Sequence, residues 1–162
     1  MTLGEGDSAV KIGQSEAILR YCGRVAGLTP EDPLEAARVD EMVQFINQDI
    51  RERNIGKSMR IEDADEKMKF RKELNDTVLP ELFAKISDKM DDSGYLCNGK
   101  LSIADLCLYC TCSWIGMGVI DGLSADFIKA NAKIAAHYKL ISEIDTVAKW
   151  NSQNRAGKVP AF

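Results

Sequence analysis

Residues Leu101–Gly118 read "LSIADLCLYCTCSWIGMG". A serine followed three positions later by an aspartate, ahead of an apolar run, is a helix-start pattern: the hydroxyl accepts an orphan N–H of the first turn, and the carboxylate reaches back to the serine amide. The spacing therefore predicts a helix opening at Ser102, with Ser102 and Asp105 as its structural cap. Because the helix that follows is nearly all apolar, its start is predicted to be buried, and loss of the cap should cost at least the ~1 kcal/mol typical of exposed caps.

Three of the five cysteines fall in this run, as Cys107, Cys110 and Cys112. On a helix, Cys107 and Cys110 lie about 60° apart, while Cys112 is about 140° from the first and about 160° from the second. Thiolates spread in this way cannot by themselves close a tetrahedral metal site, so no metal is expected. A Cys-x-x-Cys redox pair sits exposed at a helix N-terminus after a strand. This one lies inside an apolar helix, where cysteines behave as small hydrophobes of the core. The uncharged run from Leu106 to Ile120 is 15 residues long, short of the ~20 that a spanning helix needs.

Outward from this helix, most of the chain reads helical. Ala17, Ile18, Tyr21, Cys22 and Val25 recur at helical spacing between Gln14 and Ala26, and "GLTPEDP" is a linker. Val39, Met42, Val43, Ile46 and Ile50 form one stripe of a long helix expected to fray around Asn54 and Gly56. A third helix is expected over 61–90, kinked or divided at Pro80. Two shorter helices, over 124–141 and 143–151, precede a polar tail "SQNRAGKVPAF". Ahead of all of them, "AVKI" is one short strand with no partner expected in the chain. The preceding "GEGDSA" fits G-x-G-x-x-A but neither follows a strand nor opens a helix, so it reads as a hairpin turn rather than a dinucleotide loop.

A net charge of −4 and a pI near 5.1 give no basic footprint for nucleic acid or an anionic membrane. An odd number of cysteines without an N-terminal apolar signal segment points to an intracellular, reducing compartment, the cytoplasm by default. His137 has no acidic or cysteine partner at a diagnostic spacing and is read as a packing or solvated residue rather than a catalytic one. Trp114 and Trp150 are read as core or helix-seam residues.

Three motifs carry a family resemblance. "IGQSEAILRYCGRVAGL" (12–28) resembles the strand, Gln-Ser turn and helix that end the thioredoxin-like domain of the sigma-like glutathione transferases. "NGKLSIADLCLY" (98–109) resembles the loop and capped central helix of that family's helical domain, and "AKIAAHYKLISEIDTVAKW" (132–150) resembles its closing helices. The resemblance implies an all-α glutathione-transferase C-terminal helical bundle over 29–162, preceded over 1–28 by a remnant strand and helix of a thioredoxin-like domain.

For Gln14 and Ser15 two readings stand. The resemblance makes them a glutathione contact, the γ-glutamyl carboxylate meeting the first turn of the helix that Ser15 begins; by itself, Ser15 is an N-cap. The family's thiol-activating residue and its cis Val-Pro have no match here, since Met1 lies only a few residues before the glycine turn, and Tyr21, Tyr95, Tyr109 and Tyr138 occupy other segments. No catalytic residue is nominated. Where related dimers direct carboxylates toward the neighbouring subunit's glutathione, this long helix carries Gln44, Asn47 and Gln48.

The resulting expectation is a glutathione-transferase-like protein that has lost its catalytic first β-α-β unit and serves as a structural or interaction subunit. It would need no cofactor, with glutathione as a conceivable ligand and a protein partner or second copy covering the apolar face left bare. The alternative is a transferase conjugating glutathione to electrophiles, with the N-terminal segment absent from the sequence in hand. A small-molecule carrier ranks lower, since half of that site's wall is missing.

Overall fold

The computed structural model describes residues 1–154, 159, 160 and 162. It opens with a hairpin: β1 (Thr2–Leu3) pairs antiparallel with β2 (Val10–Lys11), Thr2 opposite Lys11 and Leu3 opposite Val10. The expected solitary strand thus has a partner. Two residues are too few to show the apolar–polar alternation by which a strand is read, and the "GEGDSA" segment is the turn that joins the pair, with Gly4 and Gly6 at φ of 81° and 62°.

Helix α1 (Ser15–Val25) follows, and then α2 (Pro33–Gln44), whose first turn is capped by the Asp32 carboxylate accepting from the amides of Leu34 and Glu35 at 3.0 and 2.9 Å. Instead of fraying near Asn54, α2 continues through a wide π-helical stretch, Phe45–Gly56, into α3 (Lys57–Met59). The Asn54 side-chain amide donates to the Asp49 carbonyl at 2.6 Å, adding a bond along the rod where fraying was expected. The predicted stripe Val39, Met42, Val43, Ile46 and Ile50 is buried.

The third predicted helix is a rod of three pieces: α4 (Ala64–Glu73), a π-helical turn (Leu74–Val78) and α5 (Leu79–Lys89). Pro80 sits in the first turn of α5, where its missing N–H is tolerated.

Helix α6 (Ile103–Gly116) is the axis of the bundle; ten of its fourteen residues are buried, and it packs against α1, α2, the first π-helical stretch and α8. The expected helix over 124–141 is divided into α7 (Asp126–Ala130) and α8 (Ala132–Ser142), because the Asn131 side chain accepts from the Ile134 amide and starts a new helix. Last comes α9 (Asp145–Asn154). Trp150, expected in the core or a helix seam, is 53% exposed. Of the polar tail, 155–158 and 161 lie outside the described residues. Phe162 packs edge-on against Tyr138 at 4.4 Å between ring centres.

Where α1 meets α6 the backbones come close. A Cβ at Gly23 would lie 2.4 Å from Ile103 Cγ2, so only glycine admits this approach. The Ile103 amide donates to the Leu28 carbonyl at 3.1 Å, fastening the linker after α1 to the start of α6.

Candidate functional site

Helix α1 has an unusual orientation. Its amphipathic pattern predicts that Ala17, Ile18, Tyr21, Cys22 and Val25 face the core. Ile18 is half-buried, but the other four face outward instead: Tyr21 is 39% exposed, Val25 72%, and Ala17 and Cys22 are exposed as well. The inward side is Glu16, Leu19, Arg20 and Gly23, spaced i, i+3, i+4 and i+7. Glu16 Oε2 accepts from the Gln44 side-chain amide at 2.8 Å and Oε1 from that of Gln48 at 3.0 Å. Arg20 donates to Asp40 at 2.6 Å and approaches Glu16 at 3.5 Å.

Gln44 and Gln48, which the family resemblance aligns with a face turned toward a neighbouring subunit in related dimers, are therefore engaged by their own chain. Asn47 Oδ1 accepts from Arg51 at 3.3 Å, and the Arg51 guanidinium lies 5.5 Å from the centre of the Trp114 ring. The pattern of the sequence carries no sign of this clasp, because Glu16 alone reads as an acid suited to a helix first turn.

Gln14 and Ser15 lie together at the open end of α1, both exposed. Gln14, not Ser15, is the N-cap residue, and it makes no side-chain capping bond. Its backbone stands at φ 64°, ψ 119°, in the left-handed half of conformational space that a non-glycine residue enters at a cost of about 1–3 kcal/mol. Neither side chain has a hydrogen-bond partner among the described residues, so the first turn of α1 begins without a side-chain cap, next to two exposed polar side chains.

Ser102 and Asp105 lie beyond the opposite end of α1, fully inside the protein. Asp105 Oδ2 accepts from the Ser102 amide and hydroxyl, each at 2.8 Å; Oδ1 accepts from the Leu96 amide at 2.8 Å and bonds to His137 Nε2 at 3.0 Å. The Ser102 hydroxyl in turn accepts from Ala104 at 3.3 Å. His137, read as lacking an acidic partner, thus has one 32 residues away in sequence, which no local spacing rule can find. Among the described residues its other ring nitrogen, Nδ1, is buried without a partner; the Asp105 carboxylate can only accept, so Nε2 is the nitrogen that donates to it. With both side chains sealed from solvent, this cluster fastens the loop before α6 to α8 and has no access for a substrate.

The cysteines of α6 divide by face: Cys107 and Cys112 are buried, Cys110 is exposed. Burial pushes the Cys107 thiol up to about 12 and that of Cys97 to about 11, and raises Cys112 as well, so these three stay protonated and poor as nucleophiles or metal ligands. Among the described residues no group of three His, Cys, Asp or Glu side chains is placed to hold a metal ion. Tyr109 and Tyr138 stack in the core, their hydroxyls bonded to Asn151 and Ser113. No helix among the described residues is long and apolar enough to cross a membrane.

The family model described as "Glutathione S-transferase, C-terminal domain" matches residues 48–154, more than half of the chain. Among solved structures, prostaglandin synthase D of Nilaparvata lugens is 28% identical with a TM-score of 0.77, the match covering 88% of this chain and 69% of that one. A Pi-class glutathione S-transferase of Onchocerca volvulus shares the fold at 20% identity and a TM-score of 0.70, over 97% of this chain and 71% of the other. So does a monomeric glutathione S-transferase of Necator americanus, at 21% identity and 0.63, over 88% and 69%. No curated protein matches the chain significantly. A capped central helix in an all-helical bundle, preceded by a small hairpin and one helix, and the match over 48–154 agree: the chain belongs to the glutathione S-transferase family.

Proposed function

We propose that the chain works by association, as a structural or interaction subunit in which a glutathione-transferase helical body (29–162) carries residues 1–28, the end of a thioredoxin-like unit, as its docking element. The outward apolar stripe of α1 is the observation that carries this reading. A helix in a soluble monomer turns such a stripe inward, whereas here Tyr21 and Val25 stand in solvent while charged side chains face the body. A protein partner or a second copy laid on the stripe removes that area from water. The hydroxyls of Tyr109 and Tyr138 are committed to the core and three of the five thiols are held protonated, which agrees with a subunit that does not activate glutathione.

Light scattering coupled to size exclusion tests it. The pure chain should run above monomer mass, or retain a stoichiometric partner when isolated from its source, and Tyr21→Glu should abolish that. A well-folded monomer with no partner refutes the reading.

A second reading is glutathione conjugation, favoured by the left-handed backbone of Gln14 and the unpartnered Ser15 beside the first-turn N–H groups. Incubation with glutathione and a chloroaromatic electrophile decides between the two. Turnover above background, lost in Ser15→Ala, supports conjugation and sinks the structural reading.

A further inference from the structure

Helix α1 is attached to the body by two different means at its two ends. At the C-terminal end, Gly23 fits closely against Ile103, and the Leu28 carbonyl takes the Ile103 amide. At the N-terminal end, among the described residues, Leu19 is the half-buried apolar side chain of α1 that packs against the core, Ile18 being half-buried beside it, and the other contacts are polar: Glu16 to Gln44 and Gln48, and Arg20 to Asp40 and Glu16. Left to apolar burial alone, this half of the helix would turn the Ala17–Tyr21–Val25 stripe toward the body, because that is the larger apolar area.

Hydrogen bonds have the directional demands that apolar contact lacks. The Glu16 carboxylate meets two amide groups four residues apart on the long helix, so one rotational setting of α1 satisfies all of them. We propose that Glu16, Gln44 and Gln48 form an orientation lock: positioning residues that hold the N-terminal half of α1 polar side in and thereby present its apolar stripe outward. The lock rests on the association reading only for its purpose; its existence is testable in the isolated chain.

The test is amide hydrogen exchange on the full 162-residue chain, comparing wild type, Gln44→Ala/Gln48→Ala, Leu19→Ala, Glu16→Gln, and the exchange pair Glu16→Gln/Gln48→Glu. Removing both amides should speed exchange in the N-terminal half of α1, from Ile18 to Tyr21, about tenfold or more, the scale set by charge-assisted hydrogen bonds. Amides of α6 should keep wild-type protection, which also shows that the variants fold. Putting the carboxylate on residue 48 and the amide on residue 16 restores an amide–carboxylate pair and should recover protection that Glu16→Gln alone, of the same size, loses; a purely steric role would leave both variants as protected as wild type.

Unchanged α1 exchange in the double alanine variant or in Glu16→Gln overturns the lock, as does a failure of the exchanged pair to recover protection, or a loss of protection that only Leu19→Ala produces. Because no partner takes part, these outcomes are separate from those of the light-scattering test: a monomer with a protected, lock-dependent α1 keeps the lock and refutes association.

Discussion

Replacing Asp105 by alanine should be among the most damaging single changes in the chain, and its size follows from the donors left behind. The carboxylate takes four hydrogen bonds, all from groups that are at most 4% exposed. Two donors can adjust, since the Ser102 hydroxyl rotates and the His137 ring can shift its proton to Nδ1. The Leu96 and Ser102 amides cannot. Each of these two orphaned buried N–H groups, one of them the lost half of the cap, costs about 1–3 kcal/mol, for a total of roughly 2–6 kcal/mol. With urea m-values of about 1–3 kcal/mol/M, the unfolding midpoint should fall by about 2 M. Asp105→Asn separates hydrogen bonding from volume: it keeps the shape but turns an NH2 toward one pair of donors, so it should lose about half as much. Ser102→Ala should cost only about 1–2 kcal/mol. An Asp105→Ala loss below about 1.5 kcal/mol, or an Asp105→Asn variant as stable as wild type, would refute the reasoning.

Gly23→Ala should destabilise by about 1–3 kcal/mol in urea unfolding, despite alanine's better helix propensity, because the new methyl meets Ile103 at 2.4 Å; a stabilised variant would deny that close approach. Arg71, buried, donates to the Ser58 hydroxyl at 3.2 Å and the Asp121 carbonyl at 3.0 Å, so Arg71→Met should cost about 2 kcal/mol and speed amide exchange at Gly122 and Leu123. An aromatic disulfide reagent at pH 8 should label Cys22 in the folded chain but leave Cys97, Cys107 and Cys112 untouched until urea is added. Because folding raises the Cys97 and Cys107 thiols from 9.0 to about 11 and about 12, the native state holds protons that the unfolded chain releases. Their contribution is therefore intact below pH 9 and is lost as pH rises through that window. Urea midpoints should fall between pH 8 and pH 10.5, and a flat or rising trend counts against burial of these thiols.

The start of α6 was legible because a capping box is local: its partners sit three residues apart, and the apolar run after it has a length and composition of its own. The stripe from Val39 to Ile50 was legible for the same reason, although the π-helical stretch within it was not, since it keeps the apolar residues buried while changing only the hydrogen-bond spacing. The bond from Asp105 to His137 joins positions 32 apart and carries no periodic signal. Helix α1 shows the deeper difficulty. Its periodicity correctly marked a helix, but periodicity reports which residues share a face and not which face is covered. That depends on Gln44 and Gln48, whose role is fixed only once the two helices meet. Gln14 and Ser15 stand side by side as the sequence placed them, while the positive φ of Gln14 was invisible because glutamine has no special liking for that region.

The two sides of α1 also respond oppositely to ionic strength. Molar salt shrinks the screening length to about 3 Å, weakening partly exposed pairs such as Arg20–Asp40, whereas an excluded salt such as sulfate drives bare apolar area together. A purification that passes from dilute buffer to ammonium sulfate would therefore loosen the inner contact of this helix while favouring adhesion at its outer one. Self-association seen only in concentrated sulfate would then report on the buffer, and dilute buffer near physiological ionic strength is where the oligomeric state of this protein is best measured.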